Sequence, residues 1–236
     1  MSLVSASSFV GGIKEYMYRG IQQFPLVLAM TTFLFAITTG SIAHTTLFMG
    51  IGIVNPLVTI LLQKLFSILG GDKMKRSGAD SCRITTDYLS LSQPKYPNFM
   101  NNMSEDMPSF WITSVGFFFG YVFANITETF QEPAGLSKEG YDKRIAAASY
   151  TLAATIIMLG LLLFARFYYM AGCEGSMLVS LLFMLISFSI GWGFYDLSIK
   201  CGARTSDMLG ILSQILPASA NSVKPVVCMA SNSDKA

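Results

Sequence analysis

His44 is the only histidine in 236 residues. One imidazole cannot supply the paired axial ligands of a membrane b-type haem, nor both a nucleophile and a proton donor. Its place between two apolar runs reads as a polar residue in a helical hairpin. Four cysteines, Cys82, Cys173, Cys201 and Cys228, lack the CxxC spacing of a zinc site. The chain contains no GxGxxG, GxxxxGK[ST], HExxH or GxSxG motif. No metal or cofactor is therefore expected. The remaining polar groups of interest stand at the edges of apolar runs. They are Lys64, Ser109 in Pro108-Ser109, and Arg166 in Ala165-Arg166.

Those edges are set by where charge is missing. No Asp, Glu, Lys or Arg occurs from Gly20 to Gln63, a run of 44 residues. Three further windows of 21 residues each are charge-free: Met107 to Thr127, Ile145 to Ala165, and Gly175 to Tyr195. A helix of ~20 apolar residues crosses a hydrocarbon core about 30 Å thick. Each short window fits one crossing and the long one fits two, divided at Thr39-Gly40-Ser41. The expectation is an all-α, multi-pass transmembrane bundle of about five spanning helices, near 24–42, 44–69, 109–128, 146–168 and 177–198. A membrane β-barrel is excluded by continuous runs such as Leu161-Leu162-Leu163-Phe164 and Phe117-Phe118-Phe119, which do not alternate. Pro56 should kink the second helix, with Asn55 re-satisfying the freed backbone. Gly116, Gly120, Gly160, Gly191 and Gly193 let helices approach closely. Ser41-Ile42-Ala43 resembles a signal-peptidase site, but the apolar stretch before it reads as a retained first helix.

The charge balance excludes other classes. Sixteen Lys+Arg against fourteen Asp+Glu give a formal net charge of +2. That is too little to hold a polyanion, so no nucleic-acid partner is expected. Five crossings place the N-terminal segment 1–23 and the polar loop 70–106 at one end of the bundle. The 129–144 loop and the C-terminal segment 199–236 fall at the other. Nine basic residues lie at the first end and seven at the second, which leaves orientation open by charge. Within the tail, Met208 to Leu216 reads as a short interfacial helix stopped by Pro217.

The cysteines and sequons follow the same division. Cys82 and Cys173 share the first end, and Cys201 and Cys228 share the second. Either pair is a candidate disulfide in an oxidising space, with reduced thiols as the default. Asn102-Met103-Ser104 is a candidate glycosylation acceptor in the 70–106 loop. Asn125-Ile126-Thr127 matches the same pattern but sits at a membrane boundary, a poor place for glycosyl transfer.

Lys64, Pro108-Ser109 and Ala165-Arg166, with an aromatic-rich run and then Gly/Ser before a last apolar helix, resemble the PAP2 (type 2 phosphatidic acid phosphatase) superfamily. That family carries Lys-x6-Arg-Pro, Pro-Ser-Gly-His, and Ser-Arg-x5-His-x3-Asp at successive helix ends. The resemblance spans about residues 44–198 and implies that Lys64, Ser109 and Arg166 bind a phosphate or lipid headgroup. The departures are large. Gly71-Asp72 replace Arg-Pro, Phe110-Trp111 replace Gly-His, and Gly172 and Ser176 stand for the second His and the Asp. Both catalytic histidines are missing, so no enzyme activity of this kind is expected. A second resemblance rests on Ser81-Cys82-Arg83, Pro108-Ser109-Phe110-Trp111 and Phe117-Phe118-Phe119-Gly120. These look like segments of small membrane proteins of large double-stranded DNA viruses.

Together these features give the expected function: a non-catalytic integral membrane protein acting as a structural anchor or scaffold. Its sharpest form is a minor capsid protein in the internal membrane of a virion, linking that membrane to the shell. The partners implied are the lipid bilayer and other capsid or membrane-complex proteins, met through loop 70–106 and the C-terminal tail. The alternatives are a lipid-phosphate phosphatase relative or phospholipid-binding protein, and an accessory subunit of a larger membrane complex.

Overall fold

The charge-free windows become helices, and the helices differ in how far they extend. The computed structural model describes residues 20–40, 42–69, 107–131, 138–169 and 173–202. Loop 70–106 with Cys82 and Asn102, and the tail beyond Gly202 with Cys228 and the 208–216 segment, lie outside the described residues. Among the described residues there are helices and no strands.

α1 (Phe24–Thr39) has Pro25 in its first turn, where a missing N–H costs nothing. Gly40 ends it in the left-handed conformation at φ 60°, its N–H bonding Ala36 O. α2 runs from Ile42 to Ile68 and contains a π-helical turn at Gly50–Val54. α3 spans Phe110–Gln131, α4 Lys138–Tyr169 and α5 Met177–Lys200.

Four helical stretches are long and apolar enough to cross a membrane: α2, α3, Tyr141–Tyr168 of α4, and α5. This refines the expected five. α1 has 16 residues, so it is about 24 Å long at 1.5 Å per residue, short of the hydrocarbon thickness. It ends at Gly40 rather than continuing to residue 42 because the left-handed residue turns the chain into α2. α4 begins eight residues before the expected start at 146, because Asp142, Lys143 and Arg144 extend the helix past the apolar stretch.

α3 is the central element. Of its apolar window 78% is buried, against 33% for α2 and 22% each for α4 and α5. It packs on all four other helices, most extensively on α5. Glycines allow that closeness. A methyl group on Gly116 would meet Met184 O, one on Gly120 would strike Phe188 O, and one on Gly191 would strike Phe117 O. Around the contact, Phe117, Tyr121 and Tyr195 pack with Leu47 and Ile51. Trp111, Ile112, Val115 and Phe119 pack with Met184.

Polarity runs opposite to that of a water-soluble core. Leu57, Leu61, Ile157, Leu161 and Leu182 are exposed, while Asn55, Thr59, Ser114, Ser180 and Ser187 are fully buried. A lipid solvent favours this inversion, since apolar side chains lose nothing by facing it and polar ones need partners inside.

The Asn55-Pro56 pair behaves differently from the expected local repair. The π turn immediately before it absorbs the helical irregularity, and the Asn55 N–H reaches back to Gly50 O. The Asn55 side chain turns to the neighbouring helix instead, where its Nδ2 donates to Ser114 Oγ at 2.8 Å. One helical turn on, the Thr59 and Thr113 hydroxyls share a hydrogen bond of 2.7 Å. Gln63 Nε2 then donates to Pro108 O at 2.9 Å. These three contacts lock α2 alongside α3 and bring the end of α2 to the start of α3.

Candidate functional site

Arg166 lies in the last turn of α4, and Glu174 lies in the connection to α5. Each charge suits its helix end: a cation at the negative C-terminus of α4, and an anion beside the positive N-termini of α3 and α5. The two side chains form an ion pair of 2.8 Å in which each is 1% exposed. Glu174 Oε1 accepts from Arg166 Nε at 3.0 Å and Nη2 at 2.8 Å. It also accepts from the Ser109 hydroxyl at 2.7 Å. Oε2 accepts from the Ser180 hydroxyl at 3.2 Å. The carboxylate therefore gathers donors from α4, α5 and the start of α3.

Ser109 works in two directions. Its Oγ accepts the backbone N–H of Ile112 at 3.2 Å, which caps the first turn of α3. Its O–H reaches Glu174. Trp111 covers the guanidinium, with Arg166 Cζ 5.0 Å from the ring centroid. The indole Nε1 donates to Ile21 O at 2.6 Å, drawing in the chain that leads to α1. One charged knot thus fastens α3, α4, α5 and the approach to α1.

Of the three expected phosphate-binding residues, the structure unites two. Ser109 and Arg166 meet on the same carboxylate oxygen. Lys64 is exposed on α2 and takes no part in the knot. The carboxylate at the centre comes from Glu174, which the sequence reading did not single out. Its signal was present: an acid eight residues after Arg166, at the edge of the last charge-free window.

The cysteines divide as well. Cys173 is buried and disulfide-bonded, in contrast to the expected reduced thiol. Cys201, just past α5, is free and exposed, which removes it from the candidate disulfides. Asn125 of the second sequon is buried, and its Nδ2 donates to Tyr195 Oη at 3.0 Å.

That last contact belongs to a second polar cluster at the opposite end, which the sequence reading also passed over. The Tyr195 hydroxyl donates to the Glu128 carboxylate. Tyr121 Oη shares hydrogen bonds of 3.1 Å with both Thr46 Oγ1 and Ser198 Oγ. The Tyr121 and Tyr195 rings meet edge to face at 5.0 Å. Here α2, α3 and α5 are joined through hydroxyls, one of which ends on the Glu128 carboxylate. His44 lies on the same hairpin, stacked on Phe35 at 5.7 Å. Among the described residues no three His, Cys, Asp or Glu side chains gather as metal ligands.

The fold and these clusters define a multi-pass helical bundle of the membrane type. Compared with protein-family models, curated proteins and solved structures, the chain matches none.

Proposed function

We propose that this chain is a non-catalytic membrane anchor: a rigid helical bundle that holds other proteins through the 70–106 loop and the C-terminal tail. The observation that carries the reading is the fate of Arg166. The cation implied to hold phosphate is already neutralised by Glu174, buried, and covered by Trp111. An incoming phosphate would have to displace a carboxylate that accepts four hydrogen bonds. Such a saturated pair suits a structural fastening of helix ends better than ligand exchange. In its sharpest form the anchor is a virion membrane protein joining membrane to shell.

A lipid-phosphate relative is the second reading, favoured by the meeting of Ser109 and Arg166 where the resemblance implies it. Cross-linking mass spectrometry on the full protein in its native membrane separates the two. Cross-links from Lys73, Lys95, Lys224 or Lys235 to abundant shell or complex proteins are the expected result. Release of phosphate from phosphatidic acid vesicles by the purified protein would sink the anchor reading.

A further inference from the structure

The outward faces of the helices are marked at both ends. On α4, Tyr150 and Tyr168 are 71% and 67% exposed. The exposed residues between them, from Ala153 to Phe164, are all Ala, Gly, Ile, Leu, Met or Phe. Thr151 and Thr155 on the same stretch are buried, with their hydroxyls on Ala147 O and Thr151 O. Tyr168 stacks on exposed Phe164, ring centroids 5.2 Å apart. A tyrosine keeps its ring in an apolar medium and its hydroxyl in a wet one, so exposed tyrosines bracketing an apolar face mark the two membrane–water boundaries. The two lie eighteen positions apart, about 27 Å along the helix.

The neighbouring helices repeat that interval with other residues. On α2, exposed Thr45 and exposed Lys64 enclose Met49, Ile53, Leu57 and Leu61. On α5 the exposed face opens at Met177 and meets its first charge at Asp196. Its one exposed polar side chain between them, Ser189, bonds Leu185 O at 3.0 Å. Both intervals are nineteen positions, about 28 Å. The marks also share levels. Thr46, Tyr121 and Ser198 bind α2, α3 and α5 at one end. At the other, Gln63 reaches Pro108, and Ser109 and Arg166 meet on Glu174. The tilt of about 20° usual for membrane helices shortens the span to about 25–27 Å.

We propose that the bundle is fitted to a thin bilayer, with a hydrocarbon core of about 27 Å, and is mismatched to a sterol-rich core of about 32–33 Å. Ile68 and Leu69 beyond Lys64 are exposed too, but a thicker core would reach them only by submerging Lys64, and at the other end Asp196. Charges at that depth are costly. The occupant of the apolar face is therefore lipid poor in sterol and in long saturated chains. This inference rests on the membrane-type bundle and not on the anchor reading, which the cross-links test separately.

The full chain is to be reconstituted in phosphatidylcholine vesicles whose acyl chains set the core at about 23, 27, 30 and 33 Å, and its unfolding temperature measured in each. A maximum at 27 Å is expected, with a value about 5 °C lower at 33 Å. A maximum at 33 Å, or no dependence on thickness, would overturn the proposal. An unfolding temperature that follows the protein-to-lipid ratio instead would make the α4 face a contact between copies and overturn it equally. K64L/D196L removes a charge from each edge and should move the maximum to thicker bilayers; an unmoved maximum would overturn the role of these charges as its limits. Cryo-electron microscopy of the unaltered chain in nanodiscs of the thickest lipid needs no variant. Lipid thinned to about 27 Å around the bundle is expected, and a ring of lipid at full thickness would overturn the fit.

Discussion

The two ends of the bundle solve the same packing problem with different chemistry. At one end a full ion pair draws donors from three elements onto one carboxylate. At the other, two tyrosines, a threonine and a serine link α2, α3 and α5, with Asn125 and Glu128 on one phenol. The first arrangement is all-or-nothing, because losing either partner leaves a bare charge in a low-dielectric setting. The second is graded, since its contacts are spread over several hydroxyls, of which Tyr195 reaches a carboxylate and Tyr121, Thr46 and Ser198 bond one another. The charged end is therefore where a single substitution should undo the fold, and the hydroxyl end is where the fold should tolerate change.

The largest expected effect is at Arg166. R166M removes the cation and leaves Glu174 buried without its partner, which should cost about 3–5 kcal/mol. The R166M/E174L double variant should recover much of that loss. Thermal unfolding in detergent micelles measures both, and a double variant no more stable than R166M would show that the pair is not what fastens this end. Next comes Y195F, which removes the hydroxyl that joins Asn125 and Glu128. A loss of about 1 kcal/mol is expected, in the range for interhelical hydrogen bonds in membranes. A loss as large as that of R166M would erase the contrast between the ends. The smallest effect is at exposed Lys64, where K64A should leave the unfolding temperature unchanged. A marked destabilisation there would place Lys64 in the charged knot after all.

Part of this organisation was legible in the residues. Charge-free windows announced α2 through α5, because a long apolar run has few alternatives to a buried or lipid-facing helix. The same signal misjudged the helix limits. It cannot show that Gly40 halts α1 at 16 residues, nor that α4 continues through Asp142, Lys143 and Arg144. Charged residues stop a membrane crossing but not a helix. Ser109 and Arg166 were visible as polar residues at helix ends, and alternating crossings put them at one end. Glu174 and Trp111 were not identified as their partners. Pairing depends on which helix faces which, and spacing along the chain does not encode that.

By itself, the sequence determined the solvent of this protein and the alternation of its helices, because hydrophobicity over ~20 residues acts locally and sums along the chain. It also put Gly116, Gly120 and Gly191 where helices had to approach, without naming the helix that would arrive, whereas Gly160 and Gly193, expected to serve the same purpose, border open space. Tertiary structure alone decided that α3 is the buried centre, that Gly120 and Gly191 serve the α3–α5 contact, and that Arg166 is matched to Glu174. Buried charge and close backbone contact are set by the three-dimensional fit of elements distant in sequence. In a lipid solvent that fit, rather than apolar burial, is what selects one packing over another.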